Sequence, residues 1–308
     1  MAQTFFVTGG SGFIGSVVVE QAVADGNTVH ALSRSETSDE KLRKLGAVPI
    51  RGDLTSLDVL RVQSAAADAV IHMATAYVLG QGTYEDVRHI DVAAVDAIAD
   101  GLAGSDKALI VTNGTLCVPQ DPSGAETTEE TPTEANPLNT RVKTEEHSLG
   151  LVSRGIRAMV VRIPPYTYGR GGSGVTMFMK MAKGSMTCVD GGKNRISSVY
   201  VDDAARLYLL AVKKGRAGDI FNAVASTTVT AREVFGAIAD ALGVPLIDMT
   251  EEEAQQKIGP MFTFFLKIEN RASGAKAREV LGWEPKGPGL VNEIANGSYQ
   301  AVAAELRE

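Results

Sequence analysis

The feature that most constrains how this chain can fold is a glycine-rich loop close to its N-terminus. The run Val7-Thr8-Gly9-Gly10-Ser11-Gly12-Phe13-Ile14-Gly15 follows a strand-like segment and precedes a helix-like one. Glycine is needed where the chain turns sharply, where the backbone approaches a pyrophosphate, and where a helix packs tightly on a strand. The N-terminus of the following helix offers N–H groups and the positive end of its dipole to phosphate. We therefore predict a dinucleotide-binding loop, with cofactor contacts from Gly9, Ser11, Gly12, Phe13, Ile14 and Gly15.

Strand-like and helix-like segments alternate through the first half of the chain. Short β-branched runs predict strands at residues 4–8, 28–33, 48–51, 69–72, 108–112 and 157–162. Helical patterns lie between them, near residues 12–24, 39–45, 57–66, 84–102 and 140–153. Strands that alternate with helices form βαβ crossovers and a parallel sheet covered on both faces. The sequence thus predicts an α/β fold built on a Rossmann-type doubly wound parallel sheet.

The pattern changes after Arg162. Pro164-Pro165 ends the sixth strand, and the glycines of residues 169–174 predict a mobile loop. Shorter elements follow, including a helix opened by Asp202-Asp203 and another near residues 230–242. We expect residues 1–165 to form the dinucleotide-binding Rossmann core. Residues 166–308 are expected to form a smaller C-terminal substrate-binding lobe, interleaved with the core.

One long segment, residues 121–137, is polar, acidic and proline-containing. Such a composition buries little surface, so a solvated surface loop is expected. The alternative is a lid over the substrate.

The overall charge and the cysteine content narrow the class of protein. The 30 basic and 37 acidic side chains give a net charge of −7, which would repel nucleic acid and an anionic membrane surface. Cys117 and Cys188 are far apart and lack metal-ligand spacing, so neither a disulfide framework nor a metal site is expected. No apolar stretch reaches the ~18 residues of a membrane helix. No basic leader precedes the first strand, and we expect a cytoplasmic protein.

The end of the second strand carries the signal for cofactor choice. An acidic side chain there would bond the 2′-hydroxyl of NAD and repel a 2′-phosphate. This chain has Ser33 followed by Arg34, a small hydroxyl and a guanidinium that suit the 2′-phosphate of NADP. The sequence therefore favours NADP(H) over NAD(H). The alternative is that Arg34 is simply solvated in a loop.

These features and several later motifs resemble the extended short-chain dehydrogenase/reductase family, the NAD(P)-dependent epimerase/dehydratase group. The opening TGGSGFIG is similar to the family's TGxxGxxG. Gly52-Asp53-Leu54 resembles its GDL segment, and His72-Met73-Ala74-Thr75 resembles its HxAA segment. Arg162-Ile163-Pro164-Pro165, with Tyr168-Gly169, resembles a stretch that lies beside the nicotinamide. The resemblance implies that the cofactor is also contacted by Asp53, Leu54, Met73, Ala74, Thr75 and Pro164.

Two further motifs extend the resemblance towards the C-terminus. Asp190-Gly191-Gly192-Lys193-Asn194-Arg195 and residues 199–204 resemble the family's G-x-G-x-x-R…V-H-V-D-D-x-A region. The arginine of that region reaches the substrate in sugar-nucleotide enzymes, which implies a substrate contact for Arg195. Residues 276–285 resemble the K-x-x-x-x-L-G-W-x-P ending, in which Trp283 is expected to pack rather than to bind.

The chain departs from the family at the catalytic helix. Members usually carry a tyrosine that exchanges a proton with the substrate oxygen. A lysine four residues later lowers the tyrosine pKa and holds the nicotinamide ribose. Here the matching helix pairs Asn139 with Lys143 or, two residues earlier, Pro137 with Arg141. Neither register supplies a phenol, so the chain is expected to be an atypical member.

Several side chains near these motifs are candidates for the chemistry. The hydroxyl after the fifth strand is expected at Thr115, with Thr112 as the neighbouring choice. An equal alternative is that Thr115 only caps its loop. Tyr77 and Tyr166 are candidates for the missing acid, and Tyr168 is a weaker one. We predict catalytic roles for Thr115, Lys143 and Asn139, and substrate contacts for Tyr77, Tyr166 and Arg195.

The resemblance implies an NADP-dependent oxidoreductase that transfers a hydride between a nicotinamide and a carbonyl or alcohol of a small organic substrate. A nucleotide-sugar epimerase or dehydratase of the same family is one alternative, supported by Arg195. A catalytically weak NADP(H)-binding sensor is another, supported by the missing tyrosine. The family also implies a homodimer formed through helices that flank the sheet.

Overall fold

The computed structural model describes residues 2–78, 80–133, 139–182 and 184–307. Its strands are β1 (Thr4–Thr8), β2 (Thr28–Ser33), β3 (Val48–Arg51), β4 (Ala69–His72), β5 (Ala108–Gly114), β6 (Arg157–Ile163), β7 (Tyr166–Tyr168), β8 (Met186–Val189), β9 (Ser198–Tyr200), β10 (Ile220–Asn222) and β11 (Leu246–Met249). Its helices are α1 (Phe13–Ala24), α2 (Glu36–Lys44), α3 (Leu57–Ala66), α4 (Tyr84–Leu102), α5 (Arg141–Gly150), α6 (Ser173–Met181), α7 (Val201–Lys214), α8 (Ala231–Leu242), α9 (Glu251–Ile258), α10 (Pro260–Lys267), α11 (Ala275–Leu281), α12 (Leu290–Asn296) and α13 (Tyr299–Arg307). Within these ranges, no helix combines the length and the apolar content needed to cross a membrane.

Seven parallel strands form the central sheet in the order β10-β6-β5-β4-β1-β2-β3. β1 lies between β2 and β4, so the strand order reverses at β1 and creates a topological switch point. One face of the sheet packs against α1, α2, α7 and α11, and the other against α3 and α4. Helices on both faces keep the short apolar strands away from water. This arrangement confirms the predicted Rossmann-type doubly wound sheet.

The largest differences between predicted and observed element boundaries are at two helices, and each has a local reason. α2 begins at Glu36, earlier than predicted, because the Ser35 side chain accepts a hydrogen bond from the Ser38 N–H (3.2 Å) and caps the helix there. The helix predicted at residues 140–153 is α5 followed by a 3-10 turn over Leu151–Arg154. That turn ends at Gly155, whose φ of +70° favours glycine.

Residues 169–174, predicted as a mobile loop, are hydrogen-bonded to the last helix. The Gly169 N–H donates to the Tyr299 hydroxyl (2.8 Å), which in turn donates to the Gly172 carbonyl (2.8 Å). The Gly171 N–H donates to the Ser298 hydroxyl (2.7 Å), and α6 already starts at residue 173. The glycines therefore form a turn that is hydrogen-bonded to the start of α13.

The C-terminal half of the chain contributes to the sheet and also has a core of its own. β10 pairs with β6 at the edge of the sheet, and α7 packs beside α1. A separate apolar cluster joins α6, α8, α12 and α13 around Phe178, Phe235 and Ile294. The second half thus adds one edge strand to the sheet and builds a lobe beside it.

Asp203, at the start of α7, holds the C-terminal segment against the sheet. Its side chain is 1% exposed and accepts hydrogen bonds from the backbone N–H groups of Lys286 (2.9 Å) and Gly287 (2.8 Å). Arg206 also donates to this carboxylate. The fully buried Trp283 donates its indole N–H to the Asp203 carbonyl (2.8 Å), which confirms the packing role predicted for Trp283.

The acidic segment is attached to the lobe along its described part, residues 121–133. Thr127 is buried, its N–H donates to the Arg271 carbonyl (3.0 Å), and its carbonyl accepts from the Ser273 N–H (2.7 Å). The Glu129 carboxylate accepts from the Asn222 N–H (2.8 Å) at β10. These residues form a surface loop as expected, with most of them exposed, but the loop is also anchored to the lobe through Thr127 and Glu129. The end of the segment, residues 134–137, lies outside the described residues.

Candidate active site

A cavity of about 370 Å³, the outer cavity, lies at the carboxyl ends of β1, β2 and β4. This edge of the sheet, beside the switch point, is where open α/β proteins bind ligands. The outer cavity is lined by nine of the predicted cofactor residues: Gly9, Ser11, Gly12, Arg34, Asp53, Leu54, Met73, Ala74 and Thr75. The glycine loop and the two motif segments after β3 and β4 therefore meet in one place.

The glycine loop forms a close-packed cradle at one end of the outer cavity. Gly9 has a φ of +75°, and its carbonyl accepts from the Gly12 N–H (2.9 Å). A Cβ on Gly9 would lie 3.0 Å from the Ala74 nitrogen, and one on Gly15 would lie 2.1 Å from the Gly9 carbonyl oxygen. α1 begins at Phe13, so the first N–H groups of that helix lack partners within it. A backbone surface with unpaired N–H groups fits a pyrophosphate.

The residues after β2 lie at the rim of the outer cavity. Ser33 is buried and donates its hydroxyl to the Ser35 carbonyl (3.2 Å), so Ser33 does not line the cavity. Arg34 is exposed and does line it. Lys41 on α2 donates to the Ser11 carbonyl (2.7 Å), which places a second cation beside the loop. Sequence reasoning missed Lys41, because only the docking of α2 against the glycine loop brings it there.

Asp53 presents a carboxylate to the same rim. It accepts hydrogen bonds from the N–H (2.8 Å) and the hydroxyl (2.6 Å) of Thr55. These hydrogen bonds lower the pKa of Asp53 below its ordinary value, so the side chain is an acceptor at neutral pH. A carboxylate in this position can accept from an amino group such as that of adenine.

A second cavity, the inner cavity, has a volume of about 330 Å³ and lies at the ends of β5 and β6. Ile14, the residue before the last glycine of the loop, lines it, so the two cavities meet at the start of α1. Its aliphatic wall is completed by Leu116, Val142, Ile163 and Pro165. Its polar lining consists of Thr112, Asn113, Gly114, Cys117, Asn139 and Arg141.

The catalytic helix places its candidates differently. Asn139 lines the inner cavity, and its side-chain oxygen accepts from the Arg141 N–H (3.0 Å). Lys143 is exposed and lines neither cavity, so it is not positioned to hold a ribose. The register that pairs Pro137 with Arg141 brings a cation to the cavity instead, because Arg141 lines it. Pro137 itself lies outside the described residues.

The two candidate hydroxyls are both engaged by protein groups. Thr115 is buried and donates to the Asn270 side-chain oxygen (2.8 Å) instead of lining the inner cavity. Thr112 lines the cavity, but its hydroxyl donates to the His72 carbonyl (3.1 Å) and lies 2.9 Å from the Tyr208 hydroxyl. Both hydroxyls are therefore occupied by hydrogen bonds within the protein.

Of the two predicted tyrosines, the structure brings only Tyr77 near the inner cavity. Tyr77 is half-buried, and its ring centre lies 5.7 Å from the guanidinium carbon of Arg141. Tyr166 is buried in the lobe and donates its hydroxyl to the Phe265 carbonyl (3.2 Å). Burial raises the pKa of Tyr166 well above its ordinary value, and the residue lines neither cavity.

Two residues predicted from motifs lie outside both cavities. Arg195 is exposed on the lobe, and its backbone N–H donates to the Glu269 carboxylate (2.7 Å). Pro164 is buried behind the inner cavity, and the next residue, Pro165, lines it instead. The motif match located the right segment at residues 164–165 but not the residue that faces the cavity.

Arg141 belongs to a hydrogen-bonded network between the two cavities. Its Nη2 donates to the Thr75 hydroxyl (3.3 Å), and that hydroxyl donates to Asp91 (2.7 Å). The other Asp91 oxygen accepts from the Ala76 N–H (2.7 Å). The guanidinium carbon of Arg141 also lies 4.8 Å from the centre of the Tyr84 ring, a cation–π contact. These contacts fix the plane of the guanidinium.

His72, at the end of β4, is a structural member of the site. The Thr8 hydroxyl oxygen accepts from the N–H groups of Met73 and Ala74 (both 3.2 Å) and lies 2.8 Å from His72 Nδ1. The Thr8 hydroxyl hydrogen is therefore donated to Nδ1, which puts the proton of the neutral ring on Nε2. Burial lowers the pKa of His72 to about 4, although the nearby Asp91 opposes the shift. The ring is thus neutral at neutral pH.

A buried ion pair between Arg162 and Glu145 lies next to the inner cavity. Arg162 donates to both oxygens of Glu145 (2.5 and 3.1 Å), and the Asn113 amide donates to Glu145 as well (2.6 Å). These contacts join β5, β6 and α5. Cys117 lies near this pair, and its pKa is raised to about 12, mainly by burial and further by Glu145. The Cys117 thiol therefore stays protonated at neutral pH.

The chain is similar to a described protein family and to individual proteins. The profile of the NAD dependent epimerase/dehydratase family matches residues 5–223. An uncharacterized protein of Schizosaccharomyces pombe, C2A9.02, is 34% identical over 297 residues, which cover 96% of this chain and 99% of that protein. The sterol-4-alpha-carboxylate 3-dehydrogenase, decarboxylating, of Dictyostelium discoideum is 26% identical over 242 residues, 75% of this chain and 74% of that protein.

A solved structure shows the same fold over the whole length. A double mutant of the dTDP-glucose 4,6-dehydratase DesIV from Streptomyces venezuelae, with NAD and DAU bound, superposes with a TM-score of 0.77. It has 19% sequence identity and covers 98% of this chain and 97% of its own. The chain belongs to the NAD dependent epimerase/dehydratase family. It is an NAD(P)-dependent oxidoreductase of the short-chain dehydrogenase/reductase type, as the sequence motifs predicted.

Proposed function

We propose that this protein is an NADP-dependent oxidoreductase acting on a carbonyl or alcohol group of a small apolar substrate. The observation that carries the proposal is that an outer cavity lined by the glycine loop meets a largely aliphatic inner cavity at the start of α1. The nicotinamide, when bound, supplies or accepts a hydride. The chain's own residues would hold the pyrophosphate at the glycine loop, the adenosine near Asp53, and the substrate against the walls of the inner cavity.

The preference for NADP is supported by the charges around the end of β2. Arg34 and Lys41 place two cations beside the outer cavity, where the 2′-phosphate of NADP would bind. Two acids of α2 are paired within the protein, because Glu36 lies 3.2 Å from Arg43 and Asp39 is paired with Arg51. Arg34 therefore lines the cavity, with Lys41 beside the glycine loop and no carboxylate at the Ser33 position.

A titration with NADPH and NADH tests the cofactor. We expect NADPH to bind more tightly, and Arg34→Gln to weaken NADPH by about 10- to 100-fold with little effect on NADH, since a charge-assisted contact to phosphate is lost. Lys44→Gln, which removes an exposed charge from the end of α2, is the matched control and should bind as the wild type does. Equal affinities of the wild type for the two cofactors would contradict the NADP preference.

An apolar substrate is supported by the inner cavity and by one relative. Five of the residues that line the inner cavity are aliphatic or proline, and apolar walls favour apolar ligands. The Dictyostelium relative is named for a sterol substrate. Asn139 is proposed to donate a hydrogen bond to the substrate oxygen, because it lines this cavity. Tyr77 is proposed as the proton source, because its ring lies 5.7 Å from the guanidinium carbon of Arg141, which lines the cavity.

A sensor of the NADPH/NADP balance is the second candidate function. It is favoured by the polar lining of the inner cavity, which includes no tyrosine among the residues that the structure describes. The nucleotide-sugar alternative has less support, because Arg195 lines neither cavity. Consumption of NADPH with a panel of apolar ketones and aldehydes would support the oxidoreductase, and tight NADPH binding without turnover on the panel would support the sensor. The homodimer and the cytoplasmic location stay predictions.

A further inference from the structure

Arg141 is the charged residue of the inner cavity. Among the described residues that line this cavity, no aspartate or glutamate accompanies it. The acid one helical turn later, Glu145, is committed to Arg162 and Asn113. Across the described ranges, no carboxylate oxygen lies within 4.0 Å of the Arg141 guanidinium. The cavity therefore combines an aliphatic wall with one cation that has no direct ionic partner in the described chain.

The guanidinium is oriented as a binding group. One of its nitrogens donates to Thr75, and its plane is held by the rings of Tyr84 (4.8 Å) and Tyr77 (5.7 Å). A guanidinium has five N–H donors in a rigid fork, so fixing it through one donor leaves others for a ligand. Asp91 stabilises the Arg141 charge indirectly, because Arg141 donates to the Thr75 hydroxyl and that hydroxyl donates to Asp91. The remaining N–H donors of the guanidinium can bind a ligand in the cavity. Binding would then cost little additional side-chain entropy, because the side chain is already ordered.

The chemistry of this cavity selects a ligand with an apolar body and one planar anion. A carboxylate accepts two parallel hydrogen bonds from a guanidinium, and the aliphatic surroundings strengthen that pairing by lowering the local dielectric constant. A diphosphate would leave most of its oxygens against Ile14, Leu116 and Val142, which offer no donors. We propose that Arg141 binds the carboxylate of an apolar organic acid in the inner cavity. The reaction class rests on the proposed function, in which the substrate would be an oxo acid or hydroxy acid.

Equilibrium binding of a matched pair of compounds tests this assignment without turnover. Hexanoate and hexanamide have the same apolar chain and differ in charge. We expect the wild type, by calorimetry with and without NADPH, to bind hexanoate about 10- to 100-fold more tightly than hexanamide, the range for hydrogen bonds to a charged group. Arg141→Gln should abolish the difference, and Arg141→Lys should keep part of it, because an ammonium retains the charge but not the two-point geometry.

Controls separate this proposal from its competitors. Arg154→Gln removes a charge from the turn after α5, away from both cavities, and should leave the preference unchanged. Circular dichroism checks the fold of each variant, and Arg141→Lys serves if Arg141→Gln does not fold. Equal affinity of the wild type for the two compounds, or an unchanged preference in Arg141→Gln, would overturn the assignment. If Arg141→Gln lost NADPH affinity but kept the preference for hexanoate, Arg141 would contact the cofactor ribose instead. That result would also overturn the carboxylate assignment. Failure of NADPH to bind would refute the proposed function alone, because the hexanoate comparison does not require the cofactor.

Discussion

The arginines of this site differ in whether their charge is paired with a carboxylate of the protein. The Arg162 guanidinium is paired with Glu145 and supports the fold, whereas Arg34 and Arg141 face cavities and are available to ligands. A buried ion pair that loses one partner is strongly destabilising, because the other charge is left without compensation. An arginine at a cavity wall can be replaced with a smaller effect on stability. We therefore expect substitutions of Arg34 or Arg141 to affect binding more than stability, and substitution of Arg162 to affect stability first.

His72 gives a prediction about pH and stability. Its pKa falls from the ordinary 6.5 to about 4 in the folded protein, so below pH 6.5 the unfolded chain binds a proton that the folded chain does not. Stability is therefore lost as the pH falls from 6.5 towards 4, by about 2 kcal/mol between pH 7 and pH 5. His72→Asn keeps an acceptor for the Thr8 hydroxyl and should remove this part of the loss. Urea unfolding of both proteins at the two pH values measures it.

The control for this prediction is His89→Asn, which changes an exposed histidine on α4. That variant should follow the wild type, because an exposed ring contributes little to the folded state. If His72→Asn lost as much stability as the wild type over the same pH interval, the buried ring would not be the group responsible.

Residues predicted from backbone motifs lie at the outer cavity, whereas several residues predicted from side-chain chemistry do not line a cavity. Gly9, Gly12 and Asp53 lie at the outer cavity because their motifs fix the local chain path. Lys143 and Thr115 are near the right place in the sequence, but one is exposed and the other is bonded to Asn270. A shift of two residues on a helix rotates a side chain by more than half a turn, which spacing alone does not resolve.

The connection between β1 and α1 leaves no room for an added side chain at Gly15. A methyl group at Gly15 would lie 2.1 Å from the Gly9 carbonyl oxygen, so the loop would have to open. We expect Gly15→Ala to lower the free energy of unfolding by about 2 kcal/mol, as overpacking does. It should also weaken NADPH binding at least tenfold. Thermal unfolding and a cofactor titration measure the two effects.

Gly236→Ala is the matched comparison for this substitution. Gly236 lies within α8, and a Cβ there would meet no heavy atom within 4 Å. This variant should gain up to about 1 kcal/mol from helix propensity and leave the cofactor affinity unchanged. A Gly15→Ala protein that binds NADPH like the wild type would show that the loop does not hold the pyrophosphate.

The elements themselves were well predicted because their patterns are strong and local. Four strands, from β1 to β4, match the predicted residue ranges, since short β-branched runs between polar turns have few alternative structures. The start of α2 was missed because a Ser35 cap outweighs the hydrophobic periodicity used to place it. The docking of residues 121–133 depends on contacts with residues 271–273, far away in the sequence, and composition does not encode such contacts.

Across the whole molecule, the Asp203 carboxylate links the central sheet to the C-terminal segment. Replacing it with alanine would leave the buried N–H groups of Lys286 and Gly287 without partners. We expect Asp203→Ala to lower the free energy of unfolding by about 3 kcal/mol. Urea unfolding of the purified protein measures the loss.

The neighbouring Asp202 provides the comparison, because its carboxylate is partly exposed and pairs with Arg170 at the surface. Asp202→Ala should cost less than about 1 kcal/mol, as surface ion pairs do. If the two variants lost equal stability, the C-terminal segment would not depend on the buried carboxylate.

The position of β10 at the edge of the sheet also affects how the chain is made. β10 pairs with β6, but it is translated only after residues 164–219, which include the first helices and strands of the lobe. While those residues leave the ribosome, the nascent chain exposes one edge of β6, and an unpaired strand edge invites pairing with other chains. Cellular chaperones that shield such edges would therefore act on this protein during synthesis, before the last strand of its central sheet exists.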